Sequence, residues 1–246
     1  MRIDMPKVNF SYDINSDVKN WNRILKNFKN NPHDISDSLV LSFLPPKMKT
    51  AFKENVLSDK MIKDFVKSDA KQHKFHEKTI TTLEKNWHEI EPSFFKALIK
   101  LTNKEIEAKQ YTAQLTTASL CPYDLNHNWF MVNAFHNTEK QIAAVAHELF
   151  HLHFLFHFGK KTQKKLSNNN AQKLTEALTF LLNTKPLSDI LPAKDKGYSS
   201  HNKLRKQLAK HWEENQNFLN LIECGVQILS KEKEPKDGLK PLTKQG

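Results

Sequence analysis

The sequence predicts an α+β fold, mainly helical, in which a small β-sheet packs on one central helix. Three observations carry this. Apolar residues recur at helical spacing through most of the first hundred positions. A short stretch from Tyr111 alternates as a strand does, and Trp129 to Val132 is a second strand candidate. A long apolar run with helix-start signals then follows, from Asn137 to Phe158.

Taken in order, Val8, Phe10, Tyr12 and Ile14 alternate with polar neighbours and predict a short strand. Ser16-Asp17 reads as a helix start, with Val18, Trp21, Ile24, Leu25 and Phe28 on the apolar face and Asn31-Pro32 as its end. Leu39 to Leu44 is a short apolar run stopped by Pro45-Pro46. Ser58 suits the cap of a helix carrying Met61, Ile62, Phe65 and Val66. A further helical pattern runs from Lys71 through Trp87 to Ile90. Pro92 is expected to interrupt it and to open a new helix with Phe94, Phe95, Leu98 and Ile99.

The character changes at Tyr111. Tyr111 to Ser119 is threonine-rich and alternates, and Trp129 to Val132 is a second strand. The helix from Asn137 is expected to stop at Gly159. A polar loop, Lys160 to Asn170, leads to a helix over Ala171 to Leu182, and one last long helix is expected from Ser199 or Ser200 through Val226. The implied organisation is a helical N-terminal region over 1–110, a core over 111–230 and a mobile tail over 231–246.

Composition narrows the function. The net charge is +11, carried almost wholly by lysine, with arginine only at Arg2, Arg23 and Arg205. Base and phosphate recognition favours the planar arginine fork, so a scattered lysine surplus argues against a nucleic-acid partner. One local concentration, Lys160, Lys161, Lys164, Lys165 and Lys173, suits an acidic substrate. Cys121 and Cys224 match no metal or redox spacing. Ile142 to Phe158 is short for a membrane span and contains Glu148 and histidines, so no membrane partner is expected. The first residues show no basic stretch before an apolar run. A cytoplasmic location is the expectation, with signal-independent export left open.

The chemistry lies in His147-Glu148-Leu149-Phe150-His151. Histidines at i and i+4 stand about 40° apart around a helix and about 6 Å apart along it, so both rings can reach one ion. Neutral imidazole suits zinc, and the intervening carboxylate suits the base that takes a proton from an attacking water. A third ligand is needed, and two residues compete for the role. His157 follows His147 at the spacing of the metzincin pattern, but Phe154 stands where that pattern needs a helix-breaking glycine. On an unbroken helix His157 lies about 9 Å beyond His151 and roughly 120° away. Glu176 is the better candidate: a lone carboxylate in an apolar helix is costly unless something binds it.

His147-Glu148-x-x-His151 followed by Glu176 resembles the gluzincin peptidases, over roughly residues 111 to 183, with a gap similar to that of thimet-type oligopeptidases. The resemblance implies a zincin-like fold and one zinc per chain, held by His147, His151 and Glu176. It implies Glu148 as general base, a peptide or protein substrate, and Trp129 to Asn133 as a sheet edge that binds the substrate. It also implies an oxyanion-stabilising Tyr or His, for which Tyr198 and His201 are suitably placed. The aspartate that thermolysin carries four residues after its glutamate is replaced here by Phe180, which leaves the partner of His147 unassigned. The expected activity is zinc-dependent peptide hydrolysis, by an endopeptidase or oligopeptidase. The alternative is a zincin-like module that binds metal or a partner without cleaving.

Overall fold

The computed structural model describes residues 5–30, 44, 46–73 and 75–232. The chain is mainly helical, with one four-stranded sheet. β1 (Lys7–Ser11) is followed by α1 (Ile14–Asn30), α2 (Pro46–Lys53), α3 (Asp59–His73) and α4 (Phe75–Thr102). β2 (Gln110–Thr116), β3 (Tyr123–Asp124) and β4 (Trp129–Asn133) come next. α5 (Thr138–Phe154) continues through a π-turn at Leu155–Gly159 into α6 (Lys160–Gln163). α7 (Asn168–Leu178), α8 (Asn202–Glu214) and α9 (Phe218–Ser230) complete the fold. No helix among the described residues is long and apolar enough to cross a membrane.

The sheet order is β1-β2-β4-β3. β1, β2 and β4 run parallel, and β3 closes the far side antiparallel to β4. β4 is therefore an interior strand and not the expected sheet edge. Tyr123 and Asp124 pair with Phe130 and Trp129, and Met131 N donates to the Pro122 carbonyl at 2.8 Å. The turn residues before β4 fold back and pair with Trp129 to Met131 on the side where a substrate strand would add.

Two hydrophobic cores form. The larger joins the sheet to α4, α5, α7, α8 and α9, with Phe130, Phe150, Leu174 and Leu208 at its centre. The smaller gathers Trp21, Ile24, Met48, Ile62 and Val66 from α1, α2 and α3. Residues 1–110 are thus divided, with β1 and α4 in the main core and α1 to α3 in the second. The predicted ends at Asn31-Pro32, most of the Leu39 run and the tail over 233–246 lie outside the described residues.

Several sequence expectations are corrected. α4 runs unbroken through Pro92, held by Trp87, Phe94, Phe95 and Leu98 inside the core. Its neighbour Glu91 turns inward and accepts from Val8 N at 2.7 Å and Trp87 Nε1 at 2.8 Å, so the proline turn is pinned to β1. Gly159 does not end α5: its backbone stays right-handed helical and the chain continues to Gln163. The last long helix is two, because Asn217 caps a new start by accepting from Asn220 N at 3.0 Å.

Asp17 lies in the first turn of α1, close to the expected helix start, but its side chain does not cap the helix. α1 begins at Ile14, and Asp13 Oδ1 accepts from Ser16 N at 2.7 Å. Asp17 is fully buried and ties α1 to the end of β2, accepting from Thr116 Oγ1 at 2.6 Å, Thr117 Oγ1 at 2.8 Å and Thr117 N at 3.1 Å. Burial pushes its carboxyl up from the usual range, against the pull of these hydrogen bonds. Asp17→Ala would leave two hydroxyls and an amide buried without their acceptor. It should destabilise the fold by about 3 kcal/mol, measured as a shift in urea midpoint at constant m-value.

Candidate metal centre

α5 is set by its N-terminus. Asn137 accepts from Lys140 N at 3.1 Å, and Gln141 Nε2 donates to the carbonyls of Asn133 at 3.1 Å and Ala134 at 3.2 Å. These bonds fix the helix to the end of β4. Every residue from Val145 to Phe154 is buried, so the motif lies in the middle of the molecule. α7 returns across α5 after Ser167 caps it through Asn170 N.

The crossing brings His147, His151 and Glu176 together. Glu176 Oε2 lies 3.4 Å from His147 Nε2 and 3.6 Å from His151 Nε2. Both separations exceed an ordinary hydrogen bond of about 2.9–3.0 Å. They match the edge of a tetrahedron with metal–ligand bonds of about 2.0–2.2 Å, which is roughly 3.3–3.6 Å. Two imidazoles and one carboxylate, all buried, form a donor set suited to a metal ion. These three side chains can hold a metal ion.

Sequence reasoning missed the residue that orients His147. Asp195 Oδ1 accepts from His147 Nδ1 at 2.9 Å. A carboxylate only accepts, so Nδ1 carries the hydrogen, and Nε2 is the ring atom that faces Glu176 and is free of this bond to meet a metal. Asp195 Oδ2 also bonds Thr179 Oγ1 at 2.7 Å and Arg205 Nη2 at 3.0 Å. The Asn183 amide grips the Asp195 backbone from both sides, accepting from its N at 2.9 Å and donating to its carbonyl at 2.8 Å. Burial alone would raise the Asp195 carboxyl. The bonds from His147 and Thr179 and the charge of Arg205 outweigh it and hold the group well below the usual carboxylate range.

Gly197 keeps this network open. Its φ is +58°, and a Cβ there would stand 2.8 Å from Arg205 Cζ. Gly197→Ala is strained on both counts and must push the guanidinium off Asp195. Asp195→Asn should weaken metal binding by about 10–100-fold, with Gly197→Ala shifting affinity in the same direction, both read with zinc as the probe ion by competition with a chromogenic chelator.

The other predicted residues divide. Glu148 is 4% exposed yet borders a cleft of about 280 Å³ that opens beside His147, and its Oε2 stands 3.6 Å from His151 Nδ1. Tyr198 lies on the cleft wall, but His201 does not line it and packs its ring against Tyr198 at 5.8 Å. His157 turns away, bonding the Glu105 carbonyl at 2.9 Å. His153 ties α5 to α4 through Thr102 Oγ1 at 2.8 Å, and burial, with His157 nearby, pushes it down to about 3, so it stays neutral. Lys161 and Lys165 border a separate small groove with Phe158 and Leu219, and the lysines of 160–173 do not line the metal cleft.

No protein-family model, curated protein or solved structure matches the chain.

Proposed function

We propose that the protein is a zinc-dependent peptidase with a zincin-like core. The observation that carries this reading is the tetrahedral-edge spacing of the His147, His151 and Glu176 donor atoms at the side of an open cleft, with Glu148 on the same helix bordering that cleft. A bound zinc would supply Lewis acidity toward a substrate carbonyl and toward water. The chain's own residues do the rest. Glu148 accepts a proton from the attacking water as the new C–O bond forms, then returns it to the amine nitrogen as the C–N bond breaks. Asp195 keeps the hydrogen of His147 on Nδ1 throughout and steadies the ring against rotation. Tyr198 is the donor on the cleft wall for negative charge growing on the carbonyl oxygen.

The test is hydrolysis of an unbiased peptide library by the full chain loaded with one equivalent of zinc. Cleavage should disappear with chelator and return with added zinc. A zinc-loaded protein that cleaves nothing in such a library would put the non-catalytic metal-binding module ahead.

A further inference from the structure

We propose that the cleft beside the metal triad selects peptides carrying a carboxylate, an inference that rests on the peptidase reading. Three lysines line this cleft: Lys140 on α5 and Lys194 and Lys196 on the segment before α8. All three are solvent-exposed, and none forms a salt bridge among the described residues. Lys140 lies two helical turns before His147 on the same face, since seven residues span close to two turns. Lys194 and Lys196 flank Asp195, whose side chain reaches His147. A chain entering the cleft therefore meets cations from two separate elements on its way to the triad.

The two acids that border the cleft do not neutralise these cations. Asp195 is engaged by His147, Thr179 and Arg205. Glu148 is buried against the histidine pair. The field is felt locally: burial and then the charge of Lys140 push the His136 imidazole, also on the cleft, below its usual value. Cations converging on one cleft concentrate anionic ligands and reject cationic ones. The overall charge of +11 acts in the same direction at longer range. Glutamate or aspartate side chains and a free C-terminal carboxylate share this chemistry.

The experiment uses the zinc-loaded full chain with Glu148→Gln, so that bound peptides are not consumed. An equimolar mixture of acetylated heptapeptides carries Glu or Gln at each position in turn, with acid or amide C-termini. Retention on the immobilised protein is read by mass spectrometry. Carboxylate-bearing peptides should be enriched about tenfold over their amide partners at low salt. Enrichment by Glu in amide-ended peptides identifies a side-chain carboxylate; enrichment confined to acid-ended peptides identifies the terminus. In the added background K140Q/K194Q/K196Q the ratio should fall to near one at unchanged zinc content. Equal retention of acid and amide peptides, absence of retention, or a ratio indifferent to the three lysines overturns the proposal. Cleavage of the same mixture by the parent protein is scored separately. Cleavage without charge preference removes this inference and leaves the peptidase, whereas charge-selective retention without cleavage does the reverse.

Discussion

Glu148→Gln should keep its zinc and lose peptide hydrolysis by about 10²–10⁴. The residue stands one position after His147, about 100° around the helix, so it flanks the donor face and is not part of it. The triad closes without it, because Glu176 supplies the third donor atom. Glutamine preserves the volume and a hydrogen-bonding oxygen but cannot accept a proton at neutral pH, so the change isolates basicity. Its small steric demand matters here, because Glu148 is buried and a larger perturbation would disturb His151 beside it. Zinc content and hydrolysis must be measured on the same preparation. A variant that holds one zinc and cleaves as fast as the parent would eliminate Glu148 as the base and with it the mechanism proposed above. Loss of zinc in parallel with loss of activity would instead make Glu148 part of the metal site.

What the sequence made legible follows from how local each signal is. The metal helix was readable because its cap, its apolar run and its i, i+4 histidines lie within a few turns of one another. Glu176 was readable because a single carboxylate interrupts an otherwise apolar helix, and the structure brings it to the histidines. Asp195 was not readable. In sequence it sits between Lys194 and Lys196 before Gly197 and has the look of an exposed charged loop. Only tertiary contacts with Asn183, Thr179 and Arg205 turn it inward. The available signal was Arg205 itself, one of three arginines, placed on the helix after the third ligand.

The fold shows the same division. The strands were found by alternation, but their order was not, because alternation carries no information on which strand is interior. The resemblance implies an edge at β4, but β4 is covered by the two-residue strand β3, too short to give a periodic signal. Pro92 and Gly159 were read as breaks because proline and glycine usually punctuate helices. Packing overrides both: Pro92 is exposed, but the helix around it is held by buried Trp87, Glu91, Phe94 and Phe95, and Gly159 passes through a π-turn whose neighbours Phe158 and Thr162 are buried. Asp17 marks the start of α1 as expected, but no local signal reveals that it is also a buried acceptor for a strand end nearly one hundred residues away.

His147→Ala and Glu176→Ala should each lose most of their zinc, while His157→Ala should retain it. The expectation follows from where the donor atoms lie. Removing His147 takes away one of three donors and also strands Asp195, which would remain buried among Thr179 and Arg205 without the imidazole that it orients. Removing Glu176 takes away the only carboxylate donor and leaves two neutral imidazoles facing a divalent charge in a buried site. Both losses should exceed the 10–100-fold weakening expected of Asp195→Asn, which alters orientation and leaves the donor set intact. His157 is the control. Its Nε2 is turned to the Glu105 carbonyl, and its ring meets that of His153 edge-on at 4.7 Å on the side of α5 that faces α4. Its removal should affect local packing only. Thermal unfolding with and without added zinc gives a second readout, because a metal that binds only the folded chain raises the midpoint. That rise should be present in the parent and His157→Ala and absent in the other two. A zinc-dependent rise that survives Glu176→Ala and vanishes in His157→Ala would move the third ligand to the end of α5 and the chain toward the metzincin arrangement.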